Sequence, residues 1–247
     1  MFQYFHSGDS ALIIKAGNEI SLEINQKIRA LLSKIEQENI SGIIDFIPSY
    51  NELMVCYDPL TISFNNLLSK IKHLSNNLEE LSFLHSSTIV IPVVYGGDFG
   101  PDLNEVAEFS KLSPEEVIKI HCSTIYHVYM LGFTPGFCYL GGMDQRISTP
   151  RKHNPRQKIQ AGAVGIAEQQ TGIYPIQSPG GWQLIGQTPV KLFDPLRKPV
   201  FLIEPGEKLQ FVPITKDRFD EISEEIAAGT YVVNRLYFSG LNENKPE

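Results

Sequence analysis

The sequence is poor in the residues that most often announce a function. Only three cysteines, Cys56, Cys122 and Cys138, occur in 247 residues. They are odd in number, irregularly spaced and without a C-x-x-C pair, which argues against both a disulfide framework and a zinc site. Six histidines stand at positions 6, 73, 85, 121, 127 and 153, and none has the helical i, i+4 partner and glutamate of a zinc hydrolase, so no metal is expected. No G-x-x-x-x-G-K-[ST] occurs, and no G-x-G-x-x-G lies between a strand and a helix, so nucleotide binding by a familiar phosphate loop is not expected of this chain. Basic residues are outnumbered, 21 Lys and Arg against 28 Asp and Glu, for a net charge of −7. That balance speaks against nucleic acid as a partner, because phosphate neutralisation needs a clustered excess of cations. No apolar run approaches the ~18 residues that read as a membrane span. The start, MFQYFHSGDS, lacks the basic region and apolar run of a signal peptide. The expectation is a cytoplasmic protein with no membrane partner.

What is present is a globular composition, 42% hydrophobic and 20% charged, neither disordered nor fibrous. The stretch from Tyr129 to Pro195 packs Thr-Pro-Gly, Gly-Gly and Ser-Pro-Gly-Gly-Trp turns between short β-branched runs. Glycine and proline at this density mark backbone that turns tightly. The apolar residues between the turns, with the single tryptophan Trp182, argue for packed β structure whose loops carry the function.

Periodicity divides the chain. Ala11 to Lys15 reads as a strand. Ile24, Ile28, Leu31, Leu32 and Ile35 recur at helical spacing behind Ser21 as N-cap, and Gly42 to Ile47 and Leu53 to Tyr57 form a hairpin. Phe64, Leu67, Leu68, Ile71 and Leu74 share a second helical face, and Thr88 to Tyr95 is a further strand. The order β-α-β-β-α-β is that of a ferredoxin-like split βαβ sheet with two helices on one face. The polar segment Ser75 to Ser87 is either the connection to the last strand or a domain linker. Asp102 can cap a helix through Phe109, and Ser113-Pro114-Glu115-Glu116 is a capping box. Beyond His121, Tyr126 to Leu131, Gly162 to Ala167, Gly172 to Ile176, Trp182 to Gly186, Val200 to Glu204 and Lys208 to Pro213 are expected strands of a closed barrel. Phe219, Ile222 and Ile226 place a last helix, with Gly229 just past its end. The fold class expected is α+β: an N-terminal ferredoxin-like domain over 1–87, a β-barrel domain over 88–240 and a polar tail over 241–247.

Three constellations could carry chemistry. The run Arg151-Lys152-His153-Asn154-Pro155-Arg156-Gln157-Lys158 places four cations within eight positions; it either holds an anion or is a solvated loop. The turns Thr134-Pro135-Gly136-Phe137 and Ser178-Pro179-Gly180-Gly181-Trp182-Gln183 either present aromatic rings and backbone N–H groups to a ligand or are ordinary hairpin chemistry over a core ring. His121, between a capped helix and the first barrel strand, is either a general base or a satisfied structural residue. Cys138 has no spacing that makes it a nucleophile with His121 or His153.

Taken in series, these blocks resemble a known family: Ile91-Pro92 through Tyr95-Gly96-Gly97 to Gly100-Pro101-Asp102-Leu103, then His121, GFTPGFCYLGGMD, TPR, AGAVGIA, QTGIYPIQSPGGWQLIGQTP and LFDP. The family is that of the B-type subunit (PxpB) of bacterial 5-oxoprolinase, also described as the KipI kinase-inhibitor family or allophanate hydrolase subunit 1. The resemblance implies a cyclophilin-like barrel in the second domain. It also implies a hydrolase acting on a cyclic amide, 5-oxo-L-proline, with ATP used by a complex of this chain with an A-type and a C-type subunit of the same enzyme. The C-type subunit is similar to a carboxyltransferase half, and the pair of modules looks like the carboxyltransferase region of a biotin-dependent urea carboxylase. A site shared with the C-type subunit is thereby implied, with His121 and Arg151 as catalytic residues. Tyr174, Gln177, Trp182 and Gln183 would line it, and Pro135, Gly136, Gly180 and Gly181 would shape its backbone. Two positions depart from the family's pattern: Cys138 stands where proline is frequent, and Glu168-Gln169-Gln170 follows the Gly-Ile-Ala block where Gly-Asn-Gln is usual. The KipI name implies another class of function, a regulator docking on a sensor histidine kinase without chemistry. A biotin-dependent carboxyltransferase half would need a biotin carrier elsewhere, since no biotin-attachment motif occurs here.

Overall fold

The structure is a computed structural model that describes residues 2–76, 78 and 87–236. The chain divides into two compact units, Met1–Leu84 and His85–Glu247.

The first unit runs β1 (Gln3–Ser7), β2 (Ala11–Lys15), α1 (Leu22–Gln37), β3 (Ile43–Pro48), β4 (Glu52–Tyr57) and α2 (Phe64–Asn76). Its four strands lie in the order β1-β2-β4-β3, all antiparallel. Leu12 and Ile14 of β2 and Leu53, Val55 and Tyr57 of β4 alternate onto one face, where they meet Ile28, Leu31 and Ile35 of α1 and Leu67, Ile71 and Leu74 of α2. Ser21 caps α1 as expected, its hydroxyl accepting from the backbone N–H of Ile24.

One strand sits elsewhere than the periodicity predicts. Thr88–Tyr95, now β5, pairs in the second unit, and the fourth strand of the small sheet is β1. The element order is therefore β-β-α-β-β-α. The physical reason is visible in burial. β5 is nearly continuously buried, the pattern of a strand with neighbours on both edges and covered faces, whereas β1 is half exposed, as an edge strand should be. The segment expected as linker falls mostly outside the described residues, as does the polar tail.

The second unit continues with α3 (Leu103–Ser110), α4 (Pro114–Ser123), β6 (Ile125–Leu131), β7 (Cys138–Gly141), β8 (Arg156–Ile159), β9 (Ala163–Ala167), β10 (Gln170–Ile173), β11 (Ser178–Gly180), β12 (Gln183–Gln187), β13 (Lys208–Pro213), α5 (Lys216–Ala227) and β14 (Arg235–Leu236). An eight-stranded sheet runs β12-β9-β10-β7-β6-β13-β5-β14, and β12 also pairs with β5. That pairing closes seven strands into a barrel and leaves β14 beside the start of β5. Closure removes the exposed edges such short strands would otherwise carry. The interior is filled by Ile89, Ile91 and Val93 of β5, Val128 of β6, Leu140 of β7, Val164 and Ile166 of β9 and Leu209 and Phe211 of β13. Helices α3 and α4 pack on this core through Val106, Ala107, Val117 and Ile120. The Ser113 and Glu116 capping box at α4 is complete in both directions. Gly229 follows α5 with φ +71°, the left-handed residue expected there.

Expected strands shift where glycine and proline dominate. Gly172 to Ile176 becomes Gln170–Ile173, and Val200 to Glu204 keeps only an isolated bridge between Phe193 and Phe201. The β9–β10 hairpin turns on Glu168 and Gln169, with Glu168 at φ +53°. A glycine at this position fits that conformation without a Cβ penalty.

Candidate functional site

Asp102 is the hub of a polar cluster in the second unit. It follows the Gly100-Pro101 turn, whose tightness has a local cause: a Cβ on Gly100 would fall 2.0 Å from the carbonyl oxygen of Ile185. The backbone of Asp102 is thereby pressed on β12, donating its N–H to Leu184 O at 2.8 Å. Asp102 occupies the N-cap position of α3, but its side chain makes no capping bond, contrary to the sequence expectation. Its carboxylate faces the basic loop instead. Oδ2 accepts from the Leu184 N–H at 2.6 Å, and Oδ1 accepts from Lys152 Nζ at 3.0 Å and Arg156 Nη2 at 2.7 Å.

Lys152 extends the cluster. Its ammonium also reaches Glu105 Oε2 at 2.7 Å and Gln183 Oε1 at 3.4 Å. Gln183 is buried and donates through Nε2 to Pro150 O at 3.0 Å and Glu105 Oε1 at 3.4 Å. The loop is pinned as well through its backbone, with Lys152 N–H donating to Gly181 O at 2.7 Å. Three segments distant in sequence meet here: the Gly-Pro-Asp-Leu turn, the Thr-Pro-Arg-Lys loop and the Gly-Gly-Trp-Gln turn.

Charge in the cluster follows from its contacts. Burial alone would raise the Asp102 carboxyl, yet hydrogen bonds from Arg156, the Leu184 N–H and Lys152 hold it below the usual carboxylate range. Its contribution to stability is present above the unfolded aspartate value and lost as pH falls through the lowered one. Lys152 is pushed above its ordinary value by Glu105 first and Asp102 next, so it stays cationic across the neutral range.

Beside this cluster stands an aromatic wall. Phe137, Tyr174 and Trp182 meet edge to face, with Phe137 5.6 Å from Trp182 and 5.9 Å from Tyr174, and Tyr174 6.3 Å from Trp182. All three rings are buried, so they pack as a small core of their own with Ile159, Ala163 and Leu184. A Cβ on Gly180 would lie 2.3 Å from Tyr174 Oη, which is why that turn takes glycine. Burial raises the Tyr174 hydroxyl, opposed by a backbone hydrogen bond at Trp182 and by the charges of Arg151 and Arg156.

The other expected residues are distributed unevenly. Gly181 and Gln183 belong to the cluster, and Gly180, Tyr174 and Trp182 to the wall. Gly136 is buried at φ +82° against Phe193, while Pro135 and Gln177 are exposed. Arg151 is exposed and makes no hydrogen bond or ion pair among the described residues, although its charge is felt at Tyr174.

His121 lies in the barrel core, fully buried, with its ring 4.4 Å from that of Phe211. Thr171 Oγ1 donates to Gly165 O at 3.0 Å, so it accepts from His121 Nε2–H at 2.8 Å. Nδ1 then accepts from Tyr95 Oη–H at 2.8 Å, and Cys122 Sγ–H donates to Tyr95 Oη at 3.4 Å. Both ring nitrogens are committed, and desolvation lowers the imidazole to about 3. The ring is a neutral, doubly bonded core residue. Cys138 is also buried, which pushes its thiol upward and away from nucleophilic thiolate. Among the described residues no group of three or more His, Cys, Asp or Glu could hold a metal ion, and no helix is long and apolar enough to cross a membrane.

Spacing does not single out Asp102, Glu105, Lys152 and Arg156 as a set. Their partners lie from 31 residues away, as for Lys152 and Gln183, to 82 residues away, as for Asp102 and Leu184. The one local signal is the Gly-Pro before Asp102, which fixes the backbone that delivers it.

The chain is similar to known proteins over most of its length. The family model described as carboxyltransferase domain, subdomain C and D, matches residues 2–203. The 5-oxoprolinase B-type subunit of Bacillus subtilis (strain 168) is 44% identical over 234 residues, covering 91% of this chain and 98% of that one. The chain belongs to the family of 5-oxoprolinase B-type subunits, of the carboxyltransferase domain. Among solved structures, TTHA0988 is 36% identical with a TM-score of 0.75, over 87% of this chain and 41% of that chain. The chain thus spans less than half of that solved relative while spanning nearly the whole of the curated one. The Kluyveromyces lactis urea amidolyase is 19% identical with a TM-score of 0.78, over 96% of this chain and 16% of that one, a likeness of fold. The Gly-Pro-Asp-Leu, Thr-Pro-Arg and Ser-Pro-Gly-Gly-Trp blocks of this sequence are those that converge around Asp102.

Proposed function

We propose that this chain is the B-type component of an ATP-dependent 5-oxoprolinase, acting with the A-type and C-type components to open 5-oxo-L-proline to L-glutamate. The convergence of three sequence-distant motif blocks on Asp102, Lys152 and Gln183 carries the reading, because it holds two cations and a side-chain amide in a fixed hydrogen-bonded cluster beside a rigid aromatic wall. Such a surface suits a small carboxylate substrate: Lys152 and Arg156 supply charge, Gln183 a directional donor, and Asp102 fixes both cations in place. Arg151, exposed at the edge of the same loop, can add a planar fork when a ligand arrives. We assign His121 to the barrel core and not to proton handling, since a general base must reach the proton that it takes. The barrel is read as cyclophilin-like and the first unit as a ferredoxin-like variant. ATP is placed on a partner, as no phosphate loop occurs in this sequence.

The test is to mix the purified chain with its A-type and C-type counterparts and follow 5-oxoproline-dependent release of ADP and glutamate, omitting each in turn. Release should require this chain, and Lys152→Ala should lower kcat/KM by about a hundredfold or more, the scale of losing a positioned charge contact. Arg151→Ala should raise KM with a smaller change in kcat. Unchanged turnover without this chain would overturn the proposal and bring the kinase-docking reading of the family forward.

A further inference from the structure

Glu105 stands apart from the rest of the Asp102 cluster. Asp102 has a side chain only 4% exposed and both of its oxygens are committed, whereas the Glu105 side chain is 56% exposed on α3. Its two carboxylate oxygens are divided, one on Lys152 at 2.7 Å and one on Gln183 Nε2 at 3.4 Å. A carboxylate held between an ammonium and a side-chain amide has the contacts that an acidic ligand would make with the same two donors. Neither donor depends on Glu105 for its position: Lys152 is held by Asp102 and by its backbone bond to Gly181, and Gln183 by Pro150 O. Arg156, the next cation in the cluster, also has a donor to spare, since its buried Nη1 carries no hydrogen bond. The arrangement is a fixed set of donors with one displaceable acceptor.

We infer that Glu105 is an internal stand-in for a ligand carboxylate, occupying an oxyanion subsite formed by Lys152 and Gln183 and leaving it when an acidic ligand binds. The inference rests on reading this cluster as the ligand-binding surface. Its consequence is competition: an exposed surface ion pair is weak, so Glu105 swings out at small cost and an incoming oxyanion takes over its two donors. Glu105 therefore sets affinity and discriminates against weak anions without touching the ligand. The ligand class is a small carboxylate or an oxyanion of similar size.

The experiment uses the full chain and acetate as probe, with acetamide as the neutral control, following the side-chain NH2 resonances of isotopically labelled Gln183. Glu105→Gln should bind acetate about tenfold more tightly than the wild type, the size of one lost competing charge-assisted contact. Glu108→Gln removes the same charge one turn along α3 from an exposed side chain, and should change the affinity by less than about twofold, since screening weakens a distant exposed charge. Lys152→Met should abolish the acetate response. If Glu105→Gln binds acetate no better than Glu108→Gln, the inference is overturned, whether or not Lys152→Met folds. The probe is read on the isolated chain and turnover on the assembled complex. Loss of the 5-oxoprolinase reading would thus leave the acetate result standing, and the converse also holds.

Discussion

A histidine buried with both ring nitrogens committed ties folding to pH. His121 has a folded value of about 3 against an ordinary 6.5. Between those values the unfolded chain binds a proton that the folded chain refuses. Stability is then complete above the ordinary value and falls as pH drops through the window, by roughly 1 kcal/mol per pH unit from this group. His121→Gln should be destabilised at pH 7, since it loses the ring contact with Phe211 and one of its two hydrogen bonds. Its gap to the wild type, measured by urea unfolding from pH 7 to 5, should narrow as pH falls. A gap that stays constant would mean that the imidazole is not held neutral by burial. Asp102 behaves in the opposite chemical sense: its ion pairs keep it charged, and the same cations that stabilise it form the surface assigned to ligand binding.

Turns decide how the short strands reach these residues. The β9–β10 hairpin forces Glu168 to φ +53°, where a side chain is strained and glycine is not. Glu168 also anchors the start of the basic loop through its backbone, its N–H donating to Thr149 O at 2.8 Å and its carbonyl accepting from Ser148 Oγ at 2.7 Å. Because these bonds use backbone atoms of Glu168 alone, Glu168→Gly should keep them and relieve the strain, raising stability by about 1 kcal/mol after the entropy of the added glycine is subtracted. Chemical denaturation would show it, and a destabilised variant would mean that the glutamate side chain has a contact of its own. Elements with strong local signals were legible in the sequence: the Ser113 box, the alternating β4 and β13, the helical faces of α1 and α2. The three- and four-residue strands β7, β8 and β11 were not, since they lie among glycine and proline turns and are too short to show an alternation of their own; pairing with neighbouring strands defines them. The Asp102 cluster divides the same way. Gly180, Gly181, Trp182 and Gln183 were readable as a tight turn, which left a ligand contact and a hairpin over a core ring equally open, whereas Asp102 as the hub was not readable, because a residue that can cap a helix locally was claimed by cations some fifty positions away. Position in a sequence does not say which way a helix turns a side chain, so His121 stays open in the sequence between general base and structural residue, and it is buried with both ring nitrogens bonded in the structure.

Two separate cores have a consequence for how the whole chain unfolds. The residues buried between the small sheet and its helices, Leu31 among them, share no member with those that fill the barrel, Leu209 among them. Each unit carries its own source of hydrophobic stabilisation, so each should melt as its own cooperative transition. The single tryptophan makes this measurable. Trp182 packs with Phe137 and Tyr174 in the second unit, so its fluorescence reports that unit alone, while far-ultraviolet circular dichroism reports both. Leu209→Ala should lower the midpoint seen by Trp182, with a loss of about 2 to 5 kcal/mol for a leucine truncated in a packed core. Leu31→Ala should leave the tryptophan transition in place and shift only the remaining part of the dichroism curve. An equal shift of both signals by Leu31→Ala would make the chain a single cooperative block. In that case mutations in the small sheet would act on the Asp102 cluster through global stability, and a loss of turnover on altering the first unit could no longer be read as a lost partner contact.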